Sequence, residues 1–182
     1  MIFMNIEFED ILKADKKLVE LVRNWRNSDK IRKYMYTNHY ITKTEHGKWM
    51  ESLKTKNTAK AWIIKYDDKL IGLVYLSNID YKNKTTDWGF YIADESARGK
   101  GVGSAALYKL MEYVFDEMNK MHTKVLENNL IAIKLYEKFG FKKDDASGLQ
   151  LERDEKKIAV FKMWICKDDW NHVKEKINPM MR

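Results

Sequence analysis

Residues 87–104, Asp87-Trp88-Gly89-Phe90-Tyr91-Ile92-Ala93-Asp94-Glu95-Ser96-Ala97-Arg98-Gly99-Lys100-Gly101-Val102-Gly103-Ser104, decide the fold. The aromatic and apolar start predicts a strand over Thr86 to Ile92. Residues 93–97 turn the chain into Arg98-Gly99-Lys100-Gly101-Val102-Gly103, and Ser104 to Met118 then places Ala105, Leu107, Tyr108, Met111 and Phe115 at helical spacing. A strand, a glycine-rich turn and a helix amino terminus in that order make an anion site. Glycines let a ligand approach the main chain, the first N–H groups of the helix lack carbonyl partners, and the helix dipole favours negative charge there. Arg98 and Lys100 add charge-assisted bonds. A glycine that merely caps a helix need not be repeated three times at alternate positions. The turn lacks both G-x-x-x-x-G-K-[ST] and G-x-G-x-x-G, since Ser104-Ala105 follows the last glycine, which disfavours nucleoside triphosphates and dinucleotides.

Upstream, Ile2 to Phe8 alternates as a strand and Lys16 to Trp25 carries Leu18, Leu21, Val22 and Trp25 at helical spacing. Ser28 and Asp29 are placed to cap a short helix through Ile31 and Tyr34, and Thr42 or Thr44 a third helix that buries Trp49, Met50 and Leu53. Ala61 to Tyr66 and Leu70 to Ile79 then read as a hairpin closed by Asp67, Asp68 and Lys69. Downstream come a strand over Thr123 to Leu126, a helix from Leu130 to Phe139, and an extended end around Lys157 to Cys166. The sum is an α/β sandwich in which helices flank a mixed, mostly antiparallel sheet.

Composition narrows the possibilities. The 182 residues suit a single domain over 1–182, and 8 glycines with 1 proline leave little material for a linker. Cys166 alone excludes an internal disulfide, and no Cys/His cluster has metal-ligand spacing, so no metal is expected. Acidic residues appear before any signal-peptide run, and no stretch approaches the ~20 apolar residues of a membrane span; a soluble, cytoplasmic protein is expected. The net charge of +7 arises from 34 basic residues scattered among 27 acidic ones. With no basic helix or aromatic stacking ladder, that pattern indicates one local anion site rather than a nucleic-acid surface.

A second segment, Val125-Leu126-Glu127-Asn128-Asn129-Leu130-Ile131-Ala132-Ile133-Lys134-Leu135-Tyr136-Glu137-Lys138-Phe139-Gly140-Phe141, leads from a strand into a helix. Asn129 stands at the helix start, Ala132 one turn on and Tyr136 two, so these positions share a face. Arg98-x-x-Gly101-x-Gly103 resembles the pyrophosphate signature of GNAT acetyltransferases, and the segment ending Gly140-Phe141 resembles their second signature. The resemblance implies a sheet splayed at the cofactor site and acetyl-CoA held by Tyr91, Ile92, Arg98, Gly99, Lys100, Gly101, Val102, Gly103, Ser104, Asn129 and Tyr136. It also implies that Tyr136 protonates the leaving thiolate, a role open to a phenol with an ordinary pKa near ~10. Many relatives carry a carboxylate on the strand before the Asn, where this chain has Lys124-Val125. Glu127, or water passed towards Tyr75 or Ser77, is the substitute proton acceptor.

The amino-terminal third, with Trp25-Arg26-Asn27, Tyr34-Met35-Tyr36, Ile41-Thr42, His46 and Trp49, resembles the acetyltransferases of the pseudaminic acid pathway, the PseH-like group. These acetylate the 4-amino group of a UDP-linked deoxy amino sugar. On that reading Arg26 and His46 meet the diphosphate, Met35 packs on the sugar, and Ser77, Asn78 and Tyr91 bond the nucleotide. Peptide amino-terminal and polyamine acetyltransferases share both signatures, although a polyamine wants an acidic pocket. A binding module that uses acyl-CoA without turnover is the reading from another class, and Tyr136 in register argues against it. Trp164, Trp170 and the Met180-Met181 pair either cover a homodimer interface or cap the core.

Overall fold

The computed structural model describes residues 5–144 and 148–177. The chain runs β1 (Ile6–Asp10), α1 (Lys16–Asn27), α2 (Asp29–Arg32), α3 (Lys43–Thr55), β2 (Lys60–Tyr66), β3 (Lys69–Asp80), β4 (Thr85–Ile92), α4 (Val102–Glu117), β5 (Lys120–Leu126), α5 (Leu130–Lys138), β6 (Lys142–Lys143), β7 (Gln150–Arg153), β8 (Lys156–Cys166) and α6 (Lys167–Ile177). Its sheet has the order β1-β2-β3-β4-β5-β8-β6, with β7 on β8, and every pairing is antiparallel except β4 with β5. The expected mixed, mostly antiparallel sheet is therefore present.

The β4–β5 exception positions the site. These strands pair only at Thr85 with Lys120, Thr86 with Met121 and Asp87 with His122, although both continue beyond that rung. Past it, the Thr123 hydroxyl donates to the Trp88 carbonyl at 3.0 Å in place of a backbone ladder. The opening has different walls on the two sheet faces. Trp88, Met121, Val125 and Tyr136 belong to the core under α4, whereas Leu73 and Tyr91 belong to a second core under α1 and α3, with Tyr75 packed against it. Strand alternation sends Asp87, Gly89 and His122 to the second face.

Local chemistry explains the elements. Thr42 forms a full capping box with Glu45 at the start of α3, so Thr42 rather than Thr44 is the cap. Asp67 and Asp68 both take positive φ (46° and 64°), as a two-residue hairpin turn requires. Ser28 precedes α2 without capping it through its side chain; its hydroxyl donates back to the Trp25 carbonyl at 2.8 Å.

Several expectations are corrected. The first strand extends to Asp10, and Ile2 to Met4 lie outside the described residues. Leu21 is exposed, while Arg23 beside it is buried, its guanidinium held by Glu20, Tyr40 and the Ile41 carbonyl. The end is not wholly extended, because Lys167–Ile177 forms α6. Trp170 caps the core from that helix, stacked on Phe139 and donating to Glu112 at 2.9 Å. Met180 and Met181 lie outside the described residues.

Candidate active site

A cavity of about 670 Å³ passes through the β4–β5 opening. Its wall takes Tyr75, Ser77 and Asn78 from β3, Asp87 to Phe90 from β4, His122 to Val125 from β5, Asn129 and Tyr136 from the α5 region, and Lys162 from β8. A second cavity of about 410 Å³ lies under α1 and α3, lined by Arg26, His46, Trp49 and Tyr91 among others. Met35, Tyr36 and Tyr75 line both, so one wall is common to the two.

Tyr136 is buried, edge-on to Trp88 at 5.1 Å between centroids, and tilted against Phe141 at 5.7 Å. Burial, with Tyr75 adding to it, raises its pKa well above the usual phenol range. The hydroxyl thus keeps its proton until a strong base appears beside it. Asn129 fills two roles at once: its Oδ1 accepts from the Ala132 N–H at 3.3 Å as the cap of α5, and its side chain lines the cavity.

The glycine turn has the local form an anion site needs. Gly99 and Gly101 take φ of 74° and 78°, and Gly101 is the N-cap of α4. No side chain caps that end, and the first bond of the α4 ladder runs from the Ala105 N–H to the Gly101 carbonyl at 3.0 Å. The amides of Val102, Gly103 and Ser104 precede that ladder, which fits a pyrophosphate at this position. Lys100 is exposed beside them. Arg98 donates to the Ile92 carbonyl at 3.2 Å and pairs with Glu95 at 3.7 Å, bracing the end of β4.

The residues expected on the acceptor divide between the two cavities. Ser77 and Asn78 line the larger one, with Asn78 Nδ2 donating to Asp87 at 2.7 Å. Arg26, His46 and Tyr91 line the smaller one, and Met35 touches both. Tyr91, expected at both cofactor and nucleotide, lines the smaller cavity with its hydroxyl 3.5 Å from the Val22 carbonyl. Arg26 donates through Nη2 to the Thr37 carbonyl at 2.7 Å, while its buried Nη1 has no hydrogen-bond partner among the described residues. His46 is buried against Trp49, and burial followed by the charge of Arg23 lowers its pKa.

Glu127 does not join the site. It is exposed, lines neither cavity, and its Oε1 accepts from the Ala159 N–H at 2.8 Å, tying β5 to β8. Because a glutamine carbonyl accepts the same bond, Glu127→Gln is expected to leave the pH–rate profile of thiol release at wild type; loss of its acid limb would restore Glu127 as the base.

Sequence reasoning missed four contributors. His122 and Asp87 meet on the last β4–β5 rung, a pairing that only the topology reveals. Arg153 on the β7–β8 hairpin donates to the carbonyls of Lys33 and Met35, each at 2.8 Å, and so holds the segment that separates the cavities. Gly89 is needed because the Tyr75 hydroxyl lies over it, where an added Cβ would come within 2.4 Å. Among the described residues, no group of three or more His, Cys, Asp or Glu could hold a metal, and no helix is long and apolar enough to cross a membrane.

Known proteins resemble this chain in sequence and fold. Residues 19–141 match the acetyltransferase (GNAT) family model. Acetyltransferase PseH of Campylobacter jejuni (strain 81-176) is 27% identical over 138 residues, covering 75% of this chain and 84% of that protein. The crystal structure of spermidine N-acetyltransferase from Vibrio cholerae in complex with CoA and spermine superposes with a TM-score of 0.81 at 20% identity, over 91% of this chain and 98% of that one. PseH of C. jejuni in complex with acetyl coenzyme A gives 0.64 at 21% identity, over 88% and 98%. With the family match spanning most of the chain, the protein belongs to the GNAT family and is an acetyl-CoA-dependent N-acetyltransferase.

Proposed function

We propose that the chain moves the acetyl group of acetyl-CoA to the 4-amino group of a UDP-linked amino-deoxy sugar. The observation that carries this reading is the cation content of the acceptor side. Arg26 has a buried Nη1 without a hydrogen-bond partner among the described residues, Glu45 of the same cavity is held by the Thr42 cap and His39, and Lys124 and Lys162 line the neighbouring cavity. Burial lowers the pKa of Arg26, as befits a desolvated cation awaiting an anion. A diphosphate supplies that anion, and the aromatic wall of Trp49, Tyr36 and Tyr91 suits the flat, apolar parts of a nucleotide. The likeness to PseH supports the same choice.

In this reading the main-chain amides of residues 102–104 grip the pyrophosphate of the donor, and Tyr136 gives the departing thiolate its proton. The opening between β4 and β5 leaves backbone groups of β4 beyond Asp87 free of the β5 ladder, where a thioester carbonyl can be oriented.

A polyamine acceptor is the second reading, supported by the fold likeness to the spermidine enzyme. Its cationic amines would find Asp80 and Asp87 in the larger cavity, but also Lys124 and Lys162. Thiol release from acetyl-CoA separates the two. A UDP-4-amino-4,6-dideoxy sugar is expected to turn over at a kcat/KM at least about 100-fold above spermidine or an N-terminal peptide, the scale set when a buried cation is left unpaired. Turnover of spermidine alone would end the sugar reading.

A further inference from the structure

We propose that His122 is the general base of acetyl transfer, taking the proton of the acceptor amine on the sheet face opposite Tyr136. The inference rests on acetyl transfer in the larger cavity and not on the identity of the acceptor.

The two faces of the opening require different proton chemistry. Tyr136 lies with the α4-side core, where the thiolate departs. An amine attacking the same carbonyl comes from the other side, so its proton must be collected there. Ionisable residues lining the cavity on that side include His122, Asp80, Asp87, Lys124, Lys162 and Tyr75, and burial raises the pKa of the Tyr75 hydroxyl, which keeps its proton. The lysines are cations and cannot accept a proton in their ordinary state. Asp80 is consumed by its own turn, accepting from the Lys82 and Asn83 amides and from Asn83 Nδ2. Asp87 accepts from Asn78 at 2.7 Å. That leaves the half-buried imidazole of His122, level with Asp87 on the final rung of β4 and β5.

Its surroundings keep His122 in the form a base needs. Burial is the largest influence and lowers its pKa; Lys120 on its own strand and Lys162 on β8 act in the same direction, while Asp87 on β4 opposes them. Lys124 also lies on β5, and on β8 the rung partner Trp164 has Lys120 and Lys142 over its ring. Cations therefore outnumber the carboxylates Asp87 and Asp80 around the ring. The imidazole is neutral at neutral pH, and Asp87 can stabilise the imidazolium that forms transiently.

The step balances. The lone pair of the neutral amine forms the C–N bond as the carbonyl π pair moves to oxygen, and one amine proton passes to His122 directly or through one water. The oxygen pair then returns, the C–S bond breaks, and the thiolate takes the Tyr136 proton. Solvent carries the His122 proton away and reprotonates Tyr136, leaving amide and free thiol.

The test uses the full-length enzyme with acetyl-CoA and two acceptors, a UDP-4-amino-4,6-dideoxy sugar and spermidine. On whichever acceptor turns over, His122→Gln is expected to lower kcat/KM about 100-fold, the lower end of general-base effects, with CoA binding unchanged. The acid limb of the profile should fall from a limiting slope of two, for protonation of amine and imidazole, to a slope of one. Asp87→Asn should move the wild-type limb to lower pH. A His122→Gln enzyme within about threefold of wild type, with the limb unaltered, would overturn the proposal, since removal of a general base costs far more. Should that variant fail to fold, NMR titration of His122 in the wild-type protein decides: an imidazole still protonated at neutral pH rules the base out. Turnover of spermidine alone, with the His122 effect intact, would sink the sugar reading and leave this one standing.

Discussion

Tyr136→Phe is expected to lower kcat by about 1,000-fold, within the range for loss of a positioned general acid, while leaving the KM for acetyl-CoA nearly unchanged. The substitution removes one oxygen and keeps the ring. The edge-on contact with Trp88 and the tilted contact with Phe141 involve that ring, so packing and fold survive. What disappears is the proton donor for a leaving group that departs poorly as thiolate from a cavity walled by Trp88, Phe90 and Val125. The pH dependence carries a sign that checks the assignment. Burial raises the Tyr136 pKa above the usual phenol value, so the acid form persists to higher pH than a free phenol would allow, and wild-type activity shows no basic limb from Tyr136 below pH ~10. Steady-state thiol release over a pH series measures both effects. A Phe variant with wild-type kcat would transfer the acid role elsewhere, and one that binds CoA in a wild type equally unable to turn over any amine would point to a binding module.

How much of this was legible in the sequence depended on the range of the interaction. The glycine turn, α4, the Asn129-to-Tyr136 helix and the Asp67-Asp68 hairpin are written in neighbouring residues, and all four stand where the pattern put them. The strand expected over Thr123 to Leu126 begins earlier, at Lys120, so Met121 and His122 lay outside the expected element. What alternation cannot supply is the partner strand: β5 runs parallel to β4 for three rungs and then leaves it, and that long-range pairing brings Asp87 to His122. Arg153 is hidden for the same reason, since its carbonyl acceptors lie 117 to 120 positions away in the sequence. The β7–β8 turn, Asp154-Glu155, adopts positive φ at both residues without the Gly or Asn that announces such turns. Helix α6 was masked because Lys167 follows β8 without an intervening loop, and its charged sequence buries only Trp170 and Ile177. Glu127 misled because its place next to Asn129 says nothing about direction; the side chain turns to Ala159.

Gly101→Val is expected to raise the KM for acetyl-CoA on the order of 1,000-fold, and comparison with Gly103→Ala isolates the cause. At Gly101 the backbone has φ 78° and ψ 0°, a left-handed conformation that a β-branched residue enters only at a cost of about 1–2 kcal/mol or more. Relaxing that strain means rebuilding the turn, and the amides of residues 102–104 lose their common aim. Charge-assisted hydrogen bonds contribute about 1.5–3 kcal/mol each, so losing two of them accounts for the predicted scale. Gly103 lies inside α4 with ordinary φ, and an added Cβ would meet Phe90 and Leu135 at 3.7–3.8 Å, which is normal contact. Alanine there should stabilise the helix by about 0.5–1 kcal/mol. If a pyrophosphate approaches the main chain at this point, the same methyl stands in its way, and KM rises about tenfold while the melting temperature increases, a tenfold change being ~1.4 kcal/mol. Opposite signs in stability and affinity have no explanation in packing alone. A Gly103→Ala enzyme that is both more stable and unchanged in its KM would show that the donor does not rest on these amides, and the placement of its thioester against Tyr136 would have to be drawn from elsewhere in the cleft.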